Sequence, residues 1–272
     1  MNEMKVGIVG CGNISADLCI ALQKGDIPAK IVALTDVELA NAQKLKATFL
    51  LDAEICSLDE NAAQVDFLVE CAASEAINDV LDAAMKHHRN CLVLSVGGLM
   101  DHPEYFEQAR THNVDLHVPS GALCGLDGIR SAVEAGLHTV VLTTRKPPKG
   151  LEGAPYLIEN NIDLDALTEA TEVFAGSARE ACKAFPKNVN VAAALSLAGI
   201  GPDETQVRVV ADPKATDNSH EIVAEGAFGR LETRTVNLPS PRNAKSSYLA
   251  SLSGVAELRK AAAAFAAQHQ LQ

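Results

Sequence analysis

The first 118 residues alternate short apolar runs with segments in which apolar positions recur at helical spacing. A continuous apolar run such as Val65 to Val69 is typical of a strand that is covered on both faces. Ile14 to Lys24 has helical spacing and is followed by Gly25, a common helix stop. Further strands are predicted at Lys5 to Val9, Ile31 to Thr35, Cys91 to Val96 and Val114 to Val118, and further helices at Glu38 to Thr48, Glu75 to Lys86 and Pro103 to Thr111. This alternation predicts a parallel sheet with helices on both faces.

From Pro119 the pattern changes to a small-residue, glycine-rich segment followed by β-branched runs and helices. We predict a second domain over residues 119–245, of the α+β class, with a mixed sheet and helices on one face. Its predicted strands are Val140 to Thr144, Gln206 to Ala211, Glu221 to Gly226 and Arg230 to Asn237, and its predicted helices are Ala178 to Ala184 and Val189 to Ala198. The tail, 246–272, is predicted to be one long helix from Ser246 to Gln268, and the sequence leaves open whether it packs back on the first domain.

Charge and hydropathy exclude several classes of partner. The formal net charge of −12 opposes binding to nucleic acid or to an anionic membrane surface. The chain contains no stretch of 18 consecutive apolar residues, so no spanning helix is predicted. The N-terminal residues lack the basic start and the cleavage site of a signal peptide, and we therefore expect a cytoplasmic protein.

Seven cysteines are scattered along the chain without a Cys-x-x-Cys pair or a histidine at metal-ligand spacing. Cysteines in this arrangement are usually small buried residues of a protein in a reducing compartment. The sequence therefore predicts neither a disulfide framework nor a metal site.

The strongest local motif is a glycine-rich turn between the first predicted strand and the first predicted helix. It reads Gly10-Cys11-Gly12-Asn13-Ile14-Ser15. Gly10 permits the tight turn, Gly12 lets the backbone approach a pyrophosphate, and the helix N-terminus offers that pyrophosphate free N–H groups. The third position of the fingerprint is Ser15 instead of glycine or alanine, which we expect to loosen the helix–strand packing slightly. The motif predicts a dinucleotide-binding Rossmann domain, that is, a doubly wound parallel sheet, over residues 1–118.

Asp36 bears on the choice of cofactor. It lies 21 residues after Ser15, at the end of the second predicted strand. A carboxylate at this position accepts hydrogen bonds from the ribose hydroxyls of NAD and repels the 2′-phosphate of NADP. NAD is therefore favoured, and NADP remains possible. Cys71 and Ala72 follow another strand of the same sheet, where such folds contact the cofactor, although small residues also suit a tight turn.

Five short strings in the second half carry a more specific signal, and they occur in a fixed order along the chain. They are Pro119-Ser120-Gly121-Ala122, Thr144-Arg145-Lys146-Pro147-Pro148, Phe185-Pro186-Lys187-Asn188-Val189-Asn190-Val191-Ala192-Ala193, Ala211-Asp212-Pro213 and Asn218-Ser219-His220-Glu221-Ile222. Together with the glycine-rich turn, they resemble the L-aspartate dehydrogenase family over essentially the whole chain.

The resemblance implies an N-terminal domain that binds NAD(P) and a second domain that carries the catalytic groups and the interface of a homodimer. It implies reversible oxidation of L-aspartate to iminoaspartate, which hydrolyses to oxaloacetate and ammonia or feeds NAD biosynthesis. The catalytic histidine of the family falls on His220, and two cofactor contacts of the second domain fall on Cys124 and Asn190. Where the family usually has alanine this chain has Cys124, a change that a contact through backbone atoms would survive.

A histidine suits this reaction, because hydride can leave Cα only after the α-ammonium group has lost a proton. An imidazole titrates near neutral pH and can accept that proton, then return it in the reductive direction. The two substrate carboxylates require positive charge nearby. The candidate cations are Arg145, Lys146, Lys187, Arg242 and Lys245.

Two other functions remain open at this stage. The Cys124 thiolate suggests acyl-enzyme chemistry of the kind used by semialdehyde dehydrogenases, although no matching base or phosphate site is evident. Alternatively, the chain is a dinucleotide sensor that has lost the chemistry of its second domain. Related two-domain oxidoreductases act on sugars or on other amino acids, and the fold alone does not exclude those substrates.

Overall fold

A computed structural model describes residues 3–186 and 190–270 of the chain. Two compact units emerge from the contacts between residues. The first unit comprises the chain up to Pro119 together with the chain from Ser251 on, and the second unit comprises Ser120–Ala250.

The first unit is a parallel sheet with helices between its strands. Its elements up to Pro119 are β1 (Met4–Val9), α1 (Asn13–Gln23), β2 (Ala29–Thr35), α2 (Leu39–Phe49), β3 (Glu54–Ile55), α3 (Leu58–Gln64), β4 (Phe67–Glu70), α4 (Ile77–Lys86), β5 (Asn90–Val93), α5 (Glu104–His112) and β6 (Leu116–His117). The six strands are ordered β3-β2-β1-β4-β5-β6, and every neighbouring pair is parallel. This confirms the predicted doubly wound sheet. The strand order reverses between β1 and β4, where such sheets bind their ligands.

The second unit is built on a mixed sheet. Its elements are α6 (Leu126–Ala135), β7 (Leu137–Lys146), α7 (Pro155–Glu159), β8 (Thr171–Ser177), α8 (Ala178–Ala184), α9 (Asn190–Ala198), β9 (Gln206–Ala211), β10 (Asn218–Gly226), β11 (Gly229–Asn237), β12 (Pro239–Ser240) and β13 (Asn243–Ser247). Five strands are ordered β11-β10-β7-β9-β8, with β7 and β9 parallel and the other pairs antiparallel. A second domain of the α+β class was expected, and this sheet confirms it.

Buried and more exposed residues alternate along β7 and β10, and the buried ones form one face of this mixed sheet. Val140, Leu142, Thr144 and Lys146 are buried on β7, while the residues between them are more exposed. On β10 the buried set is His220, Ile222 and Ala224. Helix α6 packs against β7 and β10, helix α8 packs against β8 and β9, and α9 packs against both of these helices. The buried face thus combines an aliphatic core with polar groups at one end of the strands.

The C-terminal helix α10 (Tyr248–Gln270) completes the first unit. Leu258 and Ala262 are fully buried in the core that contains the β1 side chains. Polar contacts add to this packing, since Glu257 lies 3.0 Å from His117 and Arg259 pairs with Asp26. An alanine-rich helix fits here because small side chains let the helix pack closely against the sheet. Gly254 shows this, since a Cβ atom there would lie 2.9 Å from the Leu94 side chain.

Several predicted elements have different limits in the structure. The strand predicted to reach Val96 ends at Val93, and a 3₁₀ turn follows at Val96–Met100. Between them, the N–H groups of Leu94 and Ser95 donate to a buried carboxylate, that of Glu70. The predicted strand Val114 to Val118 shrinks to β6. The final helix begins after β13 instead of at Ser246, and the predicted start of α9 at Val189 lies outside the described residues. In the part of the chain that the structure describes, no helix combines the length and the hydropathy needed to cross a bilayer.

Candidate active site

The glycine-rich turn lies between β1 and α1, against the loop that follows β4. Gly10 has a φ of +89°, and a Cβ atom there would lie 2.6 Å from the backbone of Cys71 and Ala72. Only glycine fits this position without moving the β4 loop. A Cβ atom on Gly12, in contrast, would meet no described atom within 4 Å. The backbone at Gly12 therefore faces open space at the N-terminus of α1.

Helix α1 begins with a residue that has no side chain to cap it. Gly12 is the N-cap, Asn13 is exposed and Ile14 is half-buried. The first N–H groups of a helix have no partner within the helix, and their partial positive charge favours an anion. This turn therefore fits the pyrophosphate of a dinucleotide, as the sequence predicts. The close approach of Gly10 to the backbone of Cys71 and Ala72, which only glycine allows, is a second feature in its favour.

Ser15 does not loosen this turn, contrary to the expectation from the sequence. The residue is fully buried, and its hydroxyl donates a hydrogen bond to the carbonyl oxygen of Gly10. The third position of the fingerprint therefore links the helix to the turn by a polar contact. A glycine or alanine there would lack this bond.

Asp36 holds the same turn from the end of β2. Its carboxylate accepts hydrogen bonds from the backbone N–H of Cys11 at 2.7 Å and of Glu38 at 2.8 Å, and from the amide of Asn41 at 3.3 Å. A carboxylate offers about four acceptor positions, so these donors leave about one position open. Bidentate binding of a ribose therefore requires Asn41, the most distant donor, to turn away.

Glu70 organises the neighbouring loop, and it is a residue that the sequence interpretation did not select. It is fully buried at the end of β4. Its carboxylate accepts hydrogen bonds from the backbone N–H groups of Ala72, Leu94 and Ser95 and from the Ser95 hydroxyl, at 2.8–3.0 Å. Burial raises the pKa of Glu70, while these bonds from donors stabilise its anion. The signal in the sequence that could have identified Glu70 is its position as a charged residue directly after a continuous apolar run.

The thiols beside this turn are unreactive. Burial, together with the charge of Asp36, raises the pKa of Cys11 to about 12. Burial likewise raises the pKa of Cys71 well above its usual value. Since the thiolate is the reactive form, neither residue is a nucleophile at neutral pH. Cys11 and Cys71 thus contribute their backbone and small volume to the turn.

The second cluster lies on the buried face of the mixed sheet. His220 on β10 pairs with Thr144 on β7, and the His220 Nδ1 lies 3.0 Å from the Thr144 Oγ1. His220 is 3% exposed and Lys146, two residues beyond Thr144 on the same face, is 7% exposed. The structure therefore brings together an imidazole, a hydroxyl and an ammonium group within one unit.

Electrostatics in this cluster differ from the expectation that the imidazole titrates near neutral pH. Burial, together with the charge of Lys146, lowers the pKa of His220 to about 3. Burial also lowers the pKa of Lys146, to about 8. Without substrate, His220 is thus a neutral imidazole beside a cation. Protonation of the imidazole requires that negative charge enter the cluster.

The remaining predicted site residues of this unit lie in two loops. Cys124 is exposed, and its backbone carbonyl accepts a hydrogen bond from the Thr233 hydroxyl at 3.2 Å. Within residues 3–186 and 190–270, no base makes a hydrogen bond to the Cys124 thiol, so the described residues add no support for acyl-enzyme chemistry. Asn190 is exposed and is the first residue of α9, directly after the undescribed residues.

Among the candidate cations whose side chains the structure describes, Lys146 shares the face of the sheet with His220. Arg145 is on the opposite face of β7 and forms an ion pair with Asp212 at 3.1 Å. Arg242 is exposed, and Lys187 and the side chain of Lys245 lie outside the described residues. Lys146 is therefore the candidate that the fold brings next to the imidazole. For the part of the chain that is described, no cluster of three or more His, Cys, Asp or Glu side chains suits a metal ion.

Comparisons with known proteins agree with the two-unit plan. Residues 127–261 match the family profile described as "Aspartate dehydrogenase, C-terminal", and residues 10–119 match "Homoserine dehydrogenase, NAD binding domain". The chain is 46% identical over 261 residues to the L-aspartate dehydrogenase of Methanosarcina acetivorans, covering 94% of this chain and 96% of that protein. The chain belongs to the L-aspartate dehydrogenase family. This confirms the resemblance inferred from the ordered sequence strings.

Other members of the L-aspartate dehydrogenase family and their structures extend the match. The protein of that name from Bradyrhizobium diazoefficiens is 40% identical over 260 residues, covering 95% of this chain and 92% of that one. The crystal structure of aspartate dehydrogenase from Thermotoga maritima superposes with a TM-score of 0.71 at 27% identity and covers 94% of each chain. A scyllo-inositol dehydrogenase from Lactobacillus casei, with a TM-score of 0.55 at 15% identity, shares the fold alone.

Proposed function

We propose that this protein catalyses the NAD(P)-dependent oxidation of L-aspartate to iminoaspartate, with His220 as the general acid/base. The observation that carries the proposal is the buried imidazole, hydrogen-bonded to Thr144 and next to Lys146, in a member of the L-aspartate dehydrogenase family. The product hydrolyses to oxaloacetate and ammonia or serves NAD biosynthesis.

The dinucleotide site is assigned to the edge of the first sheet where its strand order reverses. Residues of three turns contribute: Gly10, Cys11, Gly12, Asn13 and Ile14 after β1, Asp36 after β2, and Cys71 and Ala72 after β4. When bound, the nicotinamide accepts the hydride that leaves Cα of the substrate. Cys124 and Asn190 are the proposed contacts from the second unit. Gly10 and the uncapped start of α1 support this assignment.

His220 removes the proton that blocks imine formation. The α-ammonium group gives one proton to the imidazole, the nitrogen lone pair forms the C=N bond, and hydride leaves Cα. The products are iminoaspartate, the reduced cofactor and one proton, which the imidazole later releases. In the reductive direction the same imidazolium returns the proton to nitrogen.

The hydrogen bond to Thr144 bears on which imidazole nitrogen can act as a base. The Thr144 Oγ1 lies 3.0 Å from the His220 Nδ1, and a hydroxyl can donate to that nitrogen or accept from it. We propose that Nδ1 donates to the Thr144 Oγ1, because this tautomer leaves Nε2 unprotonated and able to act as the base. The negative charge of bound aspartate raises the low pKa of the imidazole and makes it a stronger base.

Asp36 favours NAD over NADP. Its carboxylate lies at the end of β2, where it meets the 2′-position of the adenosine ribose in folds of this kind. A 2′-phosphate would meet a carboxylate that already accepts bonds from Cys11 and Glu38, with no cation in the sequence from Val37 to Asn41. We infer that NADP is used less efficiently.

Two broader features complete the proposal. We infer a homodimer that uses the second unit, in which the edge strand β11 and the residue after it expose Val236 and Leu238. We also infer a cytoplasmic location, which the seven free cysteines support. Light scattering of the purified protein and fractionation of the source cells test these two inferences.

The experiment that tests the proposed function is a spectrophotometric screen. Purified protein is mixed with NAD or NADP and each of the common L-amino acids, and absorbance of the reduced cofactor is followed. We expect a signal with L-aspartate that exceeds the others in kcat/KM. Absence of any signal with all amino acids, under conditions where NAD binds, would favour the sensor function instead.

A further inference from the structure

Lys146 is a buried cation on the same face of the mixed sheet as His220. Its side chain is 7% exposed at the end of β7, and its stem lies 3.6 Å from a Cβ position on Gly150. Its backbone carbonyl accepts a hydrogen bond from the N–H of Asp212 at 2.9 Å, which holds this strand end in place. Burial of an ammonium group is unfavourable for folding, because the group loses its hydration.

The neighbours of Lys146 on the same face are polar groups that suit a small ligand. Thr144 and His220 are paired across β7 and β10, and Asn218, two residues before His220, has its Oδ1 within 3.9 Å of the same position on Gly150. An amide, an imidazole and an ammonium group thus surround one end of the strands.

We propose that the Lys146 ammonium binds a carboxylate of the substrate and thereby determines the preference for a dicarboxylic amino acid. This inference rests on the proposed function, since it names how the same site recognises aspartate. The substrate carries two negative charges and one positive charge, so a cation beside the imidazole compensates its excess charge. Arg145, with Asp212 as its partner on the opposite face, does not serve this purpose.

The bound carboxylate also changes the surroundings of His220. In the free enzyme the positive charge of Lys146 acts on the imidazole and disfavours its protonation. When a carboxylate pairs with that ammonium, the field at the imidazole weakens and protonation becomes easier. Lys146 therefore couples the arrival of the correct substrate to the activation of the base, and a neutral amino acid lacks this effect.

The test compares Lys146→Met and Lys146→Arg with the matched control Lys149→Met, which removes an exposed cation three residues away. Methionine replaces the stem of lysine with a similar apolar volume, so Lys146→Met is expected to fold with its core packing intact. Its KM for L-aspartate is expected to rise by about 10²-fold or more. Arginine is expected to restore part of that loss, and the control is expected to match the wild type.

A second readout does not depend on turnover. Succinate has both carboxylates but no amine, so it occupies the site without reacting. We expect succinate to shift the NMR signals of the His220 ring in the wild type and in Lys149→Met, and to leave them unchanged in Lys146→Met. The His220 signals are assigned with His220→Asn.

The outcomes separate this inference from the proposed function. A Lys146→Met variant with an unchanged KM, or one that loses kcat alone while succinate still binds, would overturn the role of Lys146. If the wild type oxidises no aspartate but shows the Lys146-dependent succinate shift, the proposed function fails and the carboxylate site stands. If the wild type is active and the variant equals it, only the inference fails.

Discussion

Glu70→Gln tests whether a buried carboxylate holds the loop behind the glycine-rich turn. In the wild type, one carboxylate oxygen accepts the N–H groups of Leu94 and Ser95, and the other accepts the N–H of Ala72 and the Ser95 hydroxyl. Glutamine has nearly the same shape but only one acceptor oxygen. Its amide nitrogen must therefore face donors on one side.

The loss of stability is worked out for the least unfavourable orientation of the glutamine. In this orientation the glutamine oxygen still accepts the N–H groups of Leu94 and Ser95. The Ser95 hydroxyl then accepts a hydrogen bond from the glutamine amide and donates its own to the Ala72 carbonyl oxygen, which lies 3.0 Å away. The N–H of Ala72 is then left without an acceptor, at a cost of about 1–3 kcal/mol, and the two remaining bonds lose their charge assistance. We expect a total of about 3 kcal/mol and a fall in Tm of about 6–12 °C.

Thermal unfolding followed by circular dichroism measures the stability, and calorimetric titration with NAD measures the binding. The matched control is Glu75→Gln, which makes the same change at an exposed position in the next turn. Because the Cys71–Ala72 backbone lies against Gly10, we expect Glu70→Gln to weaken NAD binding as well. If Glu70→Gln unfolds within about 1 °C of the wild type, the donors around Glu70 do not depend on its charge and the reasoning is wrong.

Four further predictions concern the chemistry and its electrostatics. His220→Ala is expected to leave the Kd for NAD near the wild-type value and to lower kcat by about 10²-fold or more, and undiminished turnover would mean that another group moves the proton. Thr144→Val is expected to lower kcat with little change in KM, whereas Thr144→Ser keeps the hydroxyl and most of the activity; equal rates for both variants would contradict the tautomer assignment. Asp36→Ala is expected to raise the NADP/NAD ratio of kcat/KM, and an unchanged ratio counts against its role. The unfolded state protonates His220 below about pH 6.5 while the folded state resists protonation down to about pH 3, so stability falls as the pH drops through this window, by about 1.4 kcal/mol per unit for this group. Urea unfolding of the wild type and His220→Asn at pH 7 and pH 5 measures that slope, and identical slopes would exclude His220 as its source.

Local patterns in the sequence were enough for the first sheet and for the glycine-rich turn. Continuous apolar strands, helical periodicity and the stop at Gly25 depend on residues that are close in the chain, and the parallel order of β1, β2 and β4 follows from right-handed connections between them. The family, too, was identified from ordered strings, since each string is a local feature. The short strands β3 and β6 were missed or overextended because so few residues pair in them.

Tertiary structure alone decided the environment of each polar group. Glu70 looks from the sequence like the polar end of a strand, and only folding surrounds it with donors from the turn after β5. These bonds join residues 24 and 25 positions apart, and no local period records them. The bond of Ser15 spans only five positions, to Gly10, but its formation depends on the conformation of the turn, where the motif suggested looser packing.

The clearest contrast is at His220. The sequence by itself determined that an imidazole stands directly before a predicted strand of a two-domain oxidoreductase, because residue type and periodicity are properties of the chain. Only the structure places His220 within that strand, β10. That this imidazole is neutral, bonded to Thr144 and next to Lys146 was decided by the register of β7 against β10 and by burial. Desolvation and charge act through space, so a pKa of about 3 emerges only when the strands are paired.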